Sequence, residues 1–195
     1  MLDTRARRFI QPIFEKVADL FIKLNLTPNH VTILALIVGL VPSLLIMLNV
    51  SKFIVVLFLW LSGLLDAVDG TLARKTKLSS PFGTVMDITF DRLVEISLIV
   101  ALALKYSRYP ISFIVLSCSI ILSMTIFLTV GAVSNKKSEK TFYYQAGLME
   151  RTEGFIMFTI MILISNYVDI ISFIFAIMIL FTAIQRFIEA YNHLG

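Results

Sequence analysis

Four aspartates in one short segment carry the chemistry open to this sequence. Asp66 and Asp69 are three residues apart, Asp87 and Asp91 are four apart, and all lie inside or at the ends of apolar stretches. These spacings place each pair on one helix face. An ionised carboxylate in an apolar span is costly unless it is paired or binds a cation. If the two helices are antiparallel neighbours, all four carboxylates converge near one membrane surface, and their repulsion favours bound divalent cations.

The ligand types predict which cations these are. Carboxylate oxygens without histidine or cysteine suit Mg²⁺ or Mn²⁺ and not Zn²⁺, and we expect two ions. Such a site implies a phosphate ligand. Gly70 and Ala73 are small residues that let a bulky ligand approach the backbone, and Arg74 offers a planar cation suited to phosphate. Taken alone, a glycine in a span commonly serves helix packing, and an arginine at its end commonly anchors to headgroups.

The elements that must position these residues are membrane helices. Of the 195 residues, 58% are apolar and 15% are charged, against about 45–50% and 25% in soluble domains. This excludes an ordinary soluble domain and a disordered chain. We expect an all-α integral membrane protein that forms one domain over residues 1–195 and has six transmembrane helices. The predicted spans are residues 31–49, 53–74, 81–106, 111–134, 155–167 and 170–190.

The segment before the first span predicts a further helix. Residues 5–25 alternate apolar and charged side chains at helical spacing, which no signal peptide does. This helix either lies in the membrane surface as an interfacial amphipathic helix or packs against the protein's own spans. Thr27-Pro28 and Ser80-Pro81 each predict a helix start, because the hydroxyl caps the helix and proline suits its first position.

Basic residues predict the orientation in the membrane. Thirteen lysines and arginines lie on the side of the two termini and three on the other side, so both termini and a polar cavity beneath the aspartates are expected to face the cytoplasm. Anionic headgroups account for the net charge of +4, and no nucleic-acid partner is expected. Cys118 is the only cysteine, so no internal disulfide can form.

Together these residues form the pattern D-x2-D-G-x2-A-R-x8-G-x3-D-x3-D, which runs from Asp66 to Asp91 and has Gly83 as its third fixed small residue. The pattern resembles the signature of the CDP-alcohol phosphatidyltransferases. The six-span plan and the Thr27-Pro28-Asn29 lead-in also resemble this family. The resemblance implies that an acceptor hydroxyl attacks the β-phosphorus of a CDP-alcohol, usually CDP-diacylglycerol, releasing CMP and forming a phospholipid. It also implies a homodimer.

The resemblance implies a role for each motif residue. The metal ligands would be Asp66, Asp69, Asp87 and Asp91, and Asp91 would also be the base that activates the acceptor hydroxyl. The same resemblance places Gly70, Ala73, Arg74 and Gly83, with Asp66 and Asp69, around the CDP-alcohol. General chemistry supports the same roles. A carboxylate within reach of the acceptor hydroxyl can take its proton, and cations bound to the diphosphate can neutralise its charge.

The acceptor is harder to predict. Arg151, Arg186 and three lysines, Lys136, Lys137 and Lys140, could bind a phosphorylated acceptor such as glycerol 3-phosphate or inositol phosphate. The lysines serve equally well as positive-inside anchors. Arg186 is the better candidate, because a guanidinium that far into an apolar run needs an anion. Serine or another unphosphorylated alcohol is the alternative acceptor. His30 and His193 are predicted to be surface residues.

Two other classes of protein could use paired aspartates in spans. A prenyltransferase acting on isoprenoid diphosphates also needs Mg²⁺, but its motifs lack the Gly-Ala-Arg continuation. A channel or transporter could use the four aspartates as a cation pathway. Clustering at one end of two spans counts against this pathway, which should continue across the bilayer. With no further domain or targeting segment in the sequence, a prokaryotic plasma membrane is the expected location.

Overall fold

The described part of the chain folds into helices. The computed structural model describes residues 2–134 and 147–194, without the side chains of residues 2–10 and 193. Its helices are α1 (Leu2–Lys23), α2 (Pro28–Met47), α3 (Lys52–Thr76), α4 (Pro81–Lys105), α5 (Pro110–Val133), α6 (Arg151–Leu163) and α7 (Val168–Leu194). All regular structure in these residues is helical, which suits lipid because a helix satisfies its own backbone polar groups. The all-α prediction is confirmed.

Among the described residues, four segments are long and apolar enough to cross a membrane. They are α2, α3, α5 and Ser165–Asn192, which contains most of α7. The helix α4 differs because four charged residues interrupt its apolar sequence between residues 87 and 95. The helix α6 differs because its 13 residues span about 20 Å, less than the roughly 30 Å of hydrocarbon in a bilayer.

The boundaries of the last two predicted spans need correction. The sequence predicts span five to end at residue 167, but α6 ends at Leu163 and a 3-10 turn, Ser165–Tyr167, follows it. The sequence predicts span six to begin at residue 170, but α7 begins at Val168 directly after this turn. The polar residues near 166 therefore form a tight helical turn and not an open loop.

Both predicted helix starts are present. Thr27 caps α2, since its Oγ1 accepts the backbone N–H of His30 at 3.4 Å, and His30 Nδ1 accepts the N–H of Thr27 at 3.4 Å. At the start of α4, Ser80 Oγ accepts the N–H of Gly83 at 3.0 Å. His30 is exposed, as predicted, and its capping role is additional.

By their contacts, the residues divide into two compact units, Thr4–Lys105 and Tyr106–Gly195, with the first three residues grouped with the second. The first unit contains most of α1 with α2, α3 and α4. Its core includes Ala18, Val31, Val68 and Leu72, against which Phe14, Val17 and Phe21 of α1 pack. One face of α1 therefore packs against the protein's own helices, as one of the two alternatives predicts. The single domain over residues 1–195 stays a prediction.

The second unit contains α5, α6 and α7. The helix α7 packs against both α5 and α6. Phe158 of α6 meets Phe175 of α7 edge to face, with ring centroids 5.4 Å apart, a favourable aromatic geometry. Leu116 of α5 and Met161 of α6 are fully buried. This packing fixes the part of α7 that carries Arg186.

Candidate active site

Three carboxylates meet between α3 and α4. Asp66 and Asp69 of α3 and Asp87 of α4 each offer an oxygen, and these oxygens lie within 4.8 Å of one another. Asp66 and Asp69 are buried, at 7% and 6% exposure, and Asp87 is half-buried. Like charges this close and this far from water repel strongly. A set of hard oxygen ligands without nitrogen or sulfur could hold a divalent cation of the Mg²⁺ or Mn²⁺ type.

A third helix holds the two acidic helices in place. The sequence predicts α3 and α4 to be packed neighbours, but these two fully described helices make little direct backbone contact, and α2 packs extensively against both. Gly39 of α2 makes this close packing possible. A Cβ at this position would lie 2.5 Å from Cγ2 of Val94 and 2.6 Å from Oγ of Ser62. The aspartate side chains therefore approach one another across a space that α2 sets.

Thr32 of α2 is bonded directly to the acidic cluster. Its Oγ1 donates to Oδ2 of Asp69 at 2.6 Å and lies 3.0 Å from the backbone oxygen of Pro28. Thr32 is 5% exposed. Thr32 is not among the residues predicted from the sequence. A polar side chain one turn inside a mostly apolar helix was the signal that could have identified it.

Asp91 lies one turn beyond Asp87 on α4 and is half-buried. It does not belong to the group of three oxygens within 4.8 Å. It is close enough to Asp87 and Asp69 for their charges to act on it. The structure therefore places Asp91 beside the cluster, and its predicted roles as ligand and base stay predictions.

The small residues and the arginine of the motif border the cluster on α3. Among the described residues, a Cβ at Gly70 would contact only Nη1 of Arg74, at 3.5 Å, so these residues leave the backbone there otherwise open to approach. Arg74 is exposed, and its Nη2 donates to Oγ1 of Thr71 at 3.2 Å. Ala73 is half-buried. These positions suit a ligand that lies against the end of α3.

Gly83 of α4 brings in a residue that the sequence analysis gave no role. A Cβ at Gly83 would lie 3.1 Å from Oγ of Ser80 and 3.4 Å from Oδ1 of Asn29. Asn29 belongs to α2, one turn before Thr32. The first turns of α2 therefore touch both halves of the motif, through Asn29 at Gly83 and through Thr32 at Asp69.

The predicted acceptor residues lie in the other compact unit. Arg186 is 7% exposed; its Nη1 donates to Oγ of Ser123 at 3.3 Å, and its guanidinium carbon lies 4.9 Å from the ring centroid of Phe127. Arg151 begins α6 and lies over the ring of Phe155 at 5.7 Å. Cation–π contacts of this kind stabilise a cation away from water.

The segment before α6 packs onto α7 beside Arg186. The backbone N–H of Met149 donates to Oγ1 of Thr182 at 2.9 Å, and that of Leu148 donates to Oε1 of Gln185 at 3.2 Å. A Cβ at Gly147 would clash with Thr182. The three lysines predicted as alternative anion ligands, Lys136, Lys137 and Lys140, lie outside the described residues, as does the side chain of His193.

Comparison with known proteins decides the family. The family model of the CDP-alcohol phosphatidyltransferases matches residues 25–185. The chain belongs to this family. It is therefore a CDP-alcohol phosphatidyltransferase and an integral membrane protein of phospholipid biosynthesis. The family match supports the phosphatidyltransferase prediction over the prenyltransferase and cation-channel alternatives.

Several relatives of this transferase have more specific names. The archaetidylinositol phosphate synthase of Pyrococcus horikoshii is 32% identical, over 94% of this chain and 93% of the relative. The phosphatidylinositol phosphate synthase of Corynebacterium glutamicum is 28% identical, over 97% and 89%.

Solved structures show the same fold. The phosphatidylinositol phosphate synthase of Mycobacterium tuberculosis, with CDP-DAG bound, superimposes with a TM-score of 0.76 at 20% identity, covering 93% of this chain and 94% of that chain. A second structure of the same protein contains manganese and citrate.

Proposed function

We propose that this transferase moves the phosphatidyl group of CDP-diacylglycerol to a hydroxyl of inositol phosphate, releasing CMP. The observation that carries the proposal is the meeting of Asp66, Asp69 and Asp87 within 4.8 Å between two apolar helices. Three buried or half-buried acids at this distance are best explained by a bound cation, and a cation there can neutralise a diphosphate. The names of the Pyrococcus and Corynebacterium relatives support inositol phosphate as the acceptor over glycerol 3-phosphate or serine.

Two divalent cations, Mg²⁺ or Mn²⁺, would be held by Asp66, Asp69 and Asp87, with Asp91 completing the set. The fit rests on the oxygen-only ligands and on their mutual repulsion without a cation. When bound, such ions neutralise the negative charge that grows on the CMP leaving group. The manganese in the Mycobacterium relative supports the same ion type here.

Asp91 is proposed as the general base. The acceptor oxygen forms a bond to the β-phosphorus of CDP-diacylglycerol, and the bond from that phosphorus to the bridging oxygen of CMP breaks. The hydroxyl proton passes to the Asp91 carboxylate, and CMP leaves with the bridging oxygen. The position of Asp91 supports the role of general base, since Asp91 lies beside the three clustered aspartates without belonging to the group of three oxygens.

The nucleotide is proposed to lie against the small residues of the motif. Gly70 and Gly83 leave backbone accessible on α3 and α4, and Ala73 continues this surface. Arg74 is exposed at the end of α3 and can contact the phosphates. These contacts position the β-phosphorus for attack.

Arg186 and Arg151 are proposed to bind the phosphate of the acceptor. Arg186 supports this role best, because it is a buried cation whose guanidinium is held in place by the Ser123 hydroxyl and the Phe127 ring. A guanidinium can bind a phosphate with two hydrogen bonds. A serine acceptor carries no phosphate for such a residue.

The placement in the membrane is also proposed. All six predicted spans, including α4 and the short α6, would cross or enter the bilayer as one domain over residues 1–195, with both termini and the polar cavity in the cytoplasm of a prokaryotic cell. Exposed Ile13 and Leu20, at 55% and 54% exposure, support an interfacial position of α1 in addition to its packing. The functional unit is proposed to be a homodimer.

The experiment that tests the proposed reaction is a panel of acceptors. The purified protein receives CDP-diacylglycerol, Mg²⁺ or Mn²⁺, and either inositol phosphate, inositol, glycerol 3-phosphate or serine, and CMP and lipid product are measured. We expect CMP release only with inositol phosphate. Equal or faster release with another member of the panel would overturn the acceptor assignment while leaving the transferase intact.

A further inference from the structure

The hydroxyl of Thr32 holds the Asp69 carboxylate in the orientation that a cation needs: we propose that Thr32 is a positioning residue of the metal site. This inference rests on the proposed metal site. The two residues come from different helices, and their oxygens are 2.6 Å apart. That distance is typical of a hydroxyl that donates to a charged carboxylate. Both side chains are almost completely buried.

The geometry of the bond leaves Asp69 able to bind a cation. The Thr32 hydroxyl uses one lone pair of the Asp69 carboxylate, and a carboxylate has further lone pairs with which it can bind a cation. An unrestrained carboxylate rotates about its last side-chain bond, which has a broad energy minimum. A fixed donor removes this freedom. Partners that orient a ligating carboxylate in this way typically change metal affinity about 10- to 100-fold.

The anchor of the hydroxyl is itself well defined. Thr32 lies one turn inside α2, and the Thr27 cap fixes the start of this helix. The Oγ1 of Thr32 also lies 3.0 Å from the backbone oxygen of Pro28. One hydroxyl hydrogen can serve only one acceptor at a time, and the shorter contact is to Asp69. Because α2 packs against both acidic helices, Thr32 relates the position of Asp69 to the rest of the unit.

The test measures metal binding without any CDP-lipid. The full-length protein in detergent is titrated with Mn²⁺, and free Mn²⁺ is followed by electron paramagnetic resonance. Thr32→Val removes the hydroxyl at nearly constant shape, Thr32→Ala removes it with less steric demand, and Thr32→Ser keeps it. The control is Ser43→Ala, which removes another buried hydroxyl of α2, bonded to Ser97 at 2.8 Å.

We expect Thr32→Val and Thr32→Ala to weaken Mn²⁺ binding about 10- to 100-fold, and Thr32→Ser and Ser43→Ala to bind Mn²⁺ like the wild type. If Thr32→Val does not fold, Thr32→Ala and Thr32→Ser decide the question. Unchanged affinity in the hydroxyl-free variants, or equal losses in the serine variant, overturns this inference alone. No Mn²⁺ binding by the wild type overturns the proposed metal site as well.

Discussion

The two compact units solve the same problem, a buried charge in an apolar helix, in opposite ways. Around Asp66, Asp69 and Asp87 the protein collects charges of one sign within 4.8 Å. Around Arg186 it supplies a hydroxyl, from Ser123, and an aromatic ring, from Phe127. Repulsion among the acids favours a bound cation, whereas Arg186 already has stabilising contacts within the protein.

The acidic region is therefore expected to depend more strongly on a bound ligand than the region of Arg186. Without a cation, the acidic cluster destabilises the fold through repulsion, and a bound cation converts this repulsion into affinity. Arg186 already has favourable contacts, so the phosphate proposed to bind there would add to contacts that exist without it. Loss of the ligand should therefore have larger consequences in the unit of α1–α4 than in the unit of α5–α7.

Removal of divalent metal should reduce activity more than any substitution. Excess EDTA should reduce CMP release to the background, because the acids lose the ions that neutralise the diphosphate. Added Mg²⁺ or Mn²⁺ should restore it. Release of CMP is measured before chelation, during it and after metal is returned. Full activity in excess chelator would contradict the expectation that the acidic region depends on a bound cation.

Substitution of the proposed base should have the next largest effect. Asp91→Asn keeps the size of the side chain but cannot take a proton, so turnover should fall about 10²-fold or more. The melting temperature should stay close to that of the wild type. Asp169→Asn, at the start of α7, is the matched control and should retain normal turnover. Near-normal turnover in Asp91→Asn would take Asp91 out of the mechanism.

A smaller and more selective effect is expected at Arg186. Arg186→Gln should raise the KM for the proposed acceptor, inositol phosphate, about 10- to 100-fold, the range expected for lost hydrogen bonds to a charged group. The KM for CDP-diacylglycerol should stay unchanged. The KM of Arg186→Lys for the proposed acceptor should lie between those of the wild type and Arg186→Gln, because lysine keeps the charge but lacks the planar guanidinium. Arg108→Gln, an exposed arginine of the same unit, serves as the control. An equal change in both KM values would contradict a role limited to the acceptor.

The smallest effect concerns stability and tests the comparison most directly. In EDTA, Asp66→Asn should raise the stability by about 1 kcal/mol, because it relieves repulsion in the cluster, which corresponds to about 2–4 °C in melting temperature for a chain of this size. In excess Mn²⁺ the same variant should melt below the wild type. Melting curves with and without metal measure both signs. A variant less stable in both conditions would show that the acids are compatible with one another without a cation.

Much of the acidic site could be predicted from the sequence. Spacings of three and four residues put Asp66 with Asp69 and Asp87 with Asp91, and helical periodicity alone determines which faces they share. The same reasoning predicts the caps at Thr27 and Ser80, since these depend on neighbours in the chain. Features that depend on local helix geometry could therefore be predicted from the sequence.

Features that depend on packing between distant segments could not be predicted from the sequence. The extensive contact of α2 with both acidic helices depends on how Gly39 meets Val94, which are 55 positions apart in the sequence. The bond from Thr32 to Asp69 joins residues 37 apart. The contacts of Arg186 also come from another helix, and Ser123 is 63 positions away from it in the chain. A single sequence predicts that such a cation needs partners, but not which side chains supply them.

The close approach permitted at Gly39 has a consequence for ion choice. The width of the space between the carboxylates depends on a helix that contains no acidic residue of its own. Ions of different radius need different ligand separations. Evolution or engineering could therefore alter the preference among divalent ions through the bulk of residues along α2, while every carboxylate proposed to bind them remains unchanged.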